Sequence, residues 1–180
     1  MKKLAAYACV MFISSLGFFA SQVKGQDSSR EDFEKFCKMN EGRWICDITW
    51  VADWPGVGKK GEKVRVYSQS TISEDGNALI EKAYMGNGST TRIAGYDAGN
   101  KRIKGMEIGS GGNVGQYIVY EESGRWIITG DGSEADGTKS RFSITMTISD
   151  NGNTLTFSGS VWMGERKIDV PGDVWRRVSK

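Results

Sequence analysis

Arg141-Phe142-Ser143-Ile144-Thr145-Met146-Thr147-Ile148-Ser149, then Asp150-Asn151-Gly152-Asn153, then Thr154-Leu155-Thr156-Phe157-Ser158-Gly159-Ser160-Val161 is the stretch that decides the fold. Apolar side chains fall at every second position on either side of a short polar break. A period of two belongs to a strand with one face buried and one face wet. Asparagine and glycine in the break supply the positive φ of a tight hairpin turn. The stretch therefore reads as two antiparallel strands joined by a turn.

Working outward, the same period returns across the chain. Trp44, Cys46, Ile48 and Trp50 alternate with Asp47 and Thr49, and Val64 and Val66 flank Arg65 with Ile72 farther along. Breaks rich in glycine and asparagine recur at Gly76, Gly86, Gly99, Gly112, Gly124, Gly137, Gly152 and Gly164. They are spaced by about 12 to 13 residues, as expected for strands of about ten residues joined by short turns. The fold class expected is all-β: a single closed antiparallel meander barrel of about ten strands with a short N-terminal helix. Two stacked sheets are the rival, but a Greek-key sandwich needs long crossovers and every connection after Gly76 is short. Closure also removes the exposed edges that invite aggregation. One longer connection, Ala52 to Glu62, joins the first two strands. With Trp54 in it, the segment suits a lid over the barrel mouth; a solvated linker is the plainer reading.

Before the first strand, Ser28 or Ser29 can cap a helix that carries Glu31 and Asp32 in its first turn. Phe33, Phe36 and Cys37 follow at three- and four-residue spacing as an apolar stripe, and Gly42 ends it. Still earlier, Lys2 and Lys3 precede an apolar run from Leu4 to Ala20, with small and polar residues next. This pattern is expected of a signal peptide at residues 1–25, cleaved after Gly25 or, alternatively, after Ala20 or Ser21. The barrel domain would then occupy residues 26–180 of an exported bacterial protein, periplasmic or secreted.

The whole chain carries a net charge of +2, and loss of residues 1–25 removes Lys2, Lys3 and Lys24 but no acid, leaving −1. Such a domain has no electrostatic basis for gripping nucleic acid. Past the leader, no apolar run is long enough for a membrane-spanning helix. An oxidising compartment would permit a disulfide between Cys37 and Cys46; two small buried thiols are the alternative.

Gly42-Arg43-Trp44 opens the first strand, and Trp175-Arg176-Arg177 stands near the end of the last. This pair resembles the calycin superfamily of lipocalins and fatty-acid-binding proteins. There, a tryptophan on the first strand packs against an arginine from the last and plugs one barrel end. The resemblance implies a plug of Trp44 with either Arg176 or Arg177, held in part by a cation–π contact. Gly95-Tyr96-Asp97, Gly124-Arg125-Trp126 and Asp150-Asn151-Gly152-Asn153-Thr154 extend the likeness across nearly all of the chain after the leader. Their order is similar to that of exported bacterial lipocalin-like domains of unknown function, so the resemblance implies a fold and leaves the activity open.

Histidine is absent from the chain. Its absence removes Ser-His-Asp and Cys-His catalysis, histidine-ligated zinc and a proximal haem histidine. No metal site or cofactor is expected. Glu81 and Glu107 lie within strands and could point inward, though nothing in the sequence shows that they approach each other; exposed charges on an outer face are the plainer reading. The reading that remains is a binding protein for a small apolar molecule, lipid-like or otherwise hydrophobic. Its pocket would draw on Trp50, Val66, Tyr84, Met106, Tyr117, Phe142, Met146 and Phe157, because aromatic and methionine side chains suit an adaptable apolar site. Arg92 or Arg141 would meet a ligand carboxylate. Two other readings stand beside it: a structural or interaction module without a ligand, and a histidine-free barrel isomerase or cyclase.

Overall fold

The computed structural model describes residues 27–54 and 57–179. One helix, α1 (Arg30–Asn40), precedes ten strands. These are β1 (Gly42–Thr49), β2 (Lys63–Ser73), β3 (Ala78–Met85), β4 (Gly88–Asp97), β5 (Arg102–Gly109), β6 (Val114–Glu122), β7 (Arg125–Ser133), β8 (Lys139–Ser149), β9 (Thr154–Met163) and β10 (Arg166–Ser179). Each strand pairs antiparallel with the next, and β10 returns to pair with β1, so a single sheet closes on itself. The opening stretch forms the β8–β9 hairpin, with Phe142 opposite Val161 and Met146 opposite Phe157. The expected leader at residues 1–25 lies outside the described residues.

The turns sort the barrel into two ends. At one end lie α1, the Glu74–Gly76 and Asp150–Gly152 turns, and the β4–β5 and β6–β7 hairpins. The Ala52–Glu62 connection, the Gly86-Asn87-Gly88 turn and the β5–β6, β7–β8 and β9–β10 hairpins lie at the other.

The first end is closed. Ser29 caps α1: its Oγ accepts from the Asp32 N–H at 3.0 Å, and Asp32 Oδ2 accepts from the Ser29 N–H at 2.7 Å. This reciprocal box satisfies helix N–H groups that have no intrahelical partner. Ser28 instead donates its hydroxyl to the Val119 carbonyl at 3.0 Å, tying the chain to β6 before the helix starts. Phe33, Phe36 and Cys37 are then buried beneath the barrel, packed with Trp44, Ile103, Val119, Trp126 and Met146.

Two copies of Gly-Arg-Trp serve this closure. In the first, the Trp44 indole N–H donates to the Asn40 carbonyl at the helix C-terminus at 2.8 Å. Arg177 lies over the Trp44 ring, 4.1 Å from its centroid, and donates to the carbonyls of Glu41, Met39 and Gly152. Arg177 is thus the plugging partner, and Arg176 faces solvent on the other side of β10. In the second copy, Trp126 packs against Phe36 with ring centroids 5.3 Å apart. A further duplication, Thr-Ile-Ser-x-x-Gly-Asn-x-Leu at 71–79 and 147–155, builds two matching turns at this end. Glu74 and Asp75 in one, and Asp150 and Asn151 in the other, have φ of 52–53°. An arginine reaches a turn glycine carbonyl in both: Arg30 to Gly76, and Arg177 to Gly152.

Cys37 and Cys46 are both buried and are not bridged, which corrects the disulfide considered above. The reason is their placement. Cys37 belongs to the buried stripe of α1, whereas Cys46 sits in the wall opposite Val66 and beside the Asp173–Val174 segment of β10. Burial pushes the Cys37 thiol up to about 11 and the Cys46 thiol up to about 12. Both are protonated, weakly nucleophilic packing groups at neutral pH.

Candidate functional site

The barrel interior is not filled. A cavity of about 370 Å³ runs from the closed end to the mouth. That volume lies toward the small end of the roughly 300–1,000 Å³ of ligand pockets. Its walls differ in chemistry because inward positions differ along the meander. Side chains at every second position point in, and on β8, β9, β10 and β1 these include Phe142, Ile144, Phe157, Val161, Trp175 and Ile48, with Ser140 and Asp173 as polar members. Phe157 and Trp175 meet edge to face at 6.3 Å.

The wall formed by β2 to β6 carries the charged groups, set among Val66, Leu79 and Met85. Register aligns Ser70, Glu81, Arg92 and Glu107 across four neighbouring strands, all facing the cavity. The Arg92 guanidinium is held on both sides, by Glu81 Oε2 at 3.2 Å and by Glu107 Oε2 at 3.1 Å. About 40 % of the Arg92 side chain stays accessible, and that surface opens onto the cavity deep inside the barrel. Burial works against the charged guanidinium there. The two carboxylates outweigh it and hold the Arg92 pKa above its ordinary value. Tyr117 completes this wall: its ring lies over Gly105, so close that a Cβ there would fall 2.2 Å from the ring. Glycine in the neighbouring strand gives the aromatic ring a flat seat. Burial, reinforced by Glu81 and Glu107, pushes the Tyr117 phenol above its usual range despite Arg92, so it is a neutral donor at physiological pH.

At the mouth, the described residues of the Ala52–Glu62 connection pack against the barrel rim, with Trp54 bridged to Gly58. The Trp50 indole rests on Gly58, and Val57 rests on Gly88 of the β3–β4 turn, so closely that neither glycine has room for a Cβ. Trp50 and Trp54 pack at 6.2 Å, and both indole N–H groups are buried without an acceptor among the described residues. Trp54 and Val57 thereby line the cavity at its mouth.

Of the residues expected to line the site, Trp50, Val66, Arg92, Tyr117, Phe142 and Phe157 do so. Tyr84 and Met106 do not: they are 56 % and 45 % exposed on the outer wall. Their inward neighbours are Met85 and Glu107, one position away on the same strands. Apolar character misleads in part on β2 to β5, where the outer face also carries Tyr67, Tyr84, Ile93, Met106 and Ile108, and the inner face sets Glu81, Arg92 and Glu107 among buried apolar residues such as Val66, Leu79 and Ile103. Met146 points inward but is fully buried in the closed-end core below the cavity. Arg141 is on the outside, its guanidinium 4.8 Å over the Trp162 ring. Arg92 faces the cavity already clasped by two carboxylates, so neither arginine is a free partner for a ligand carboxylate. Glu81 and Glu107, for which the sequence favoured the outer face while leaving an inward direction open, both line the cavity. No family model matches the chain, and no curated protein does.

Proposed function

We propose that this chain is a calycin-like barrel that acts outside the cytoplasm and holds a small, partly apolar molecule inside the barrel. The carrying observation is the unfilled cavity, in which Phe142, Phe157 and Trp175 face the Glu81–Arg92–Glu107 row. A barrel that served only as a scaffold would gain from filling that space, because an unfilled interior forfeits dispersion contacts. The Arg177–Trp44 plug across the first and last strands supports the calycin comparison. The signal-like leader supports a periplasmic or secreted location.

Native mass spectrometry on the protein purified from its own host tests the proposal. A discrete adduct of a few hundred daltons, lost on unfolding, is the expected result. Absence of any adduct, together with no uptake of a neutral environment-sensitive apolar dye, would overturn it.

One observation favours a second reading. Glu81 and Glu107 lie beside Tyr117, and a carboxylate with a neutral phenol is a sufficient acid–base pair for a histidine-free isomerase or cyclase. Turnover of a bound molecule into an isomer, abolished by Tyr117→Phe while binding persists, would select that reading over simple carriage.

A further inference from the structure

The polar residues of the cavity carry an unequal balance of charge. Arg92 is the one basic side chain among the described residues that line it, whereas Glu81, Glu107, Glu134 and Asp173 are acidic. Arg92 bridges Glu81 and Glu107 and can neutralise one of them, so the central row alone retains a negative charge. A carboxylate enclosed by apolar walls gains little from distant water and is costly to leave uncompensated. The groups that could hold the apolar body of a ligand, and favour a cation beside it, are already built into the opposite wall: Phe142, Phe157 and Trp175, with Trp50 above them. Aromatic faces attract organic cations, and they do so most strongly where water is excluded. A ligand carboxylate would meet the reverse conditions, with its only arginine engaged on both sides.

Resting on the binding role proposed above, we infer that the occupant is an organic cation: a protonated amine or quaternary ammonium on a small apolar body. The cation lies against the Glu81–Arg92–Glu107 row, and the apolar body lies against Phe142, Phe157 and Trp175. The Tyr117 hydroxyl and Ser70 stand on the same wall to serve any further polar group of the ligand. Specificity is then a difference between charge types on one apolar frame, which a cavity of this charge imposes by repulsion as well as attraction.

Calorimetric titration of the full chain with three probes of nearly equal shape tests this inference: 1-naphthylmethylamine, 1-naphthalenemethanol and 1-naphthoate. The amine is expected to bind about tenfold more tightly than the alcohol, the size of one charge-assisted hydrogen bond, and the carboxylate most weakly. The double variant Glu81→Gln with Glu107→Gln leaves Arg92 uncompensated and is expected to invert the order, so that 1-naphthoate binds best. If the double variant does not fold by circular dichroism, Glu107→Gln alone is expected to remove most of the amine's advantage over the alcohol. Equal affinities, or a preference of the native protein for the carboxylate, would overturn the cation assignment and leave the binding role standing. Failure of all three probes to bind would overturn the binding role itself.

Discussion

Arg177→Ala is the substitution whose consequence the structure defines most closely. The Arg177 side chain donates to the carbonyls of Met39, Glu41 and Gly152, and its plane covers the Trp44 ring at 4.1 Å. It therefore joins the end of α1, the start of β1 and the β8–β9 turn from a position on β10. Hydrogen bonds with one charged partner contribute about 1.5–3 kcal/mol each, and a partly shielded cation–π contact adds roughly 0.5–2 kcal/mol. The side chain is half-buried, so the lower ends apply, and water will recover part of the carbonyl bonding after truncation. The net loss expected is about 3 kcal/mol, or about 6–12 °C in Tm for a domain of this size. Urea unfolding followed by tryptophan fluorescence measures it. Arg177→Lys keeps the charge but loses the planar fork, and should recover about 1 kcal/mol of the loss. Arg176→Ala, one residue away on the exposed face, should change stability by less than about 0.5 kcal/mol. Equal stability of the Arg177→Ala and Arg176→Ala proteins would refute the assignment of the plug to Arg177.

Gly105→Ala places a methyl group where the Tyr117 ring now lies and should cost about 1–3 kcal/mol by overpacking; an unaltered urea midpoint would show that the ring does not need that seat. Burial raises the Asp173 pKa, so the folded protein holds this proton more tightly than the unfolded chain does. Stability is then lost as pH rises from the ordinary carboxylate value through the raised one. Asp173→Asn should accordingly stabilise the protein more at pH 7 than at pH 4, and a larger gain at pH 4 would contradict the burial. Cys37 and Cys46 should resist iodoacetamide at pH 8 in the native protein and both react in denaturant; peptide mapping that finds them joined would refute the unbridged arrangement.

The local pattern made the architecture legible. Alternation in Phe142 to Ile148 and Leu155 to Val161 named the strands, and glycine–asparagine breaks at near-constant spacing named a meander. Ser29 and the Phe33-Phe36-Cys37 stripe likewise specified α1 at short range. The cavity was half legible. Where the inner face is apolar, as at Phe142 and Phe157, hydrophobicity marks the inward side. On β2 to β5 large apolar side chains stand on both faces, and the same rule selected Tyr84 and Met106, one residue out of phase with Met85 and Glu107.

By itself, then, the sequence determined what neighbouring residues settle between themselves: period, turn positions, the helix cap and the absence of histidine chemistry. Closure decided the rest. Pairing β10 with β1 brought Arg177 rather than Arg176 onto Trp44, across 133 positions of chain. Register across β3, β4 and β5 set Glu81, Arg92 and Glu107 in one row inside the barrel. A single strand cannot reveal which of its two faces will be enclosed when its inner face is polar, because that depends on the curvature of the whole sheet and on what the other strands place opposite.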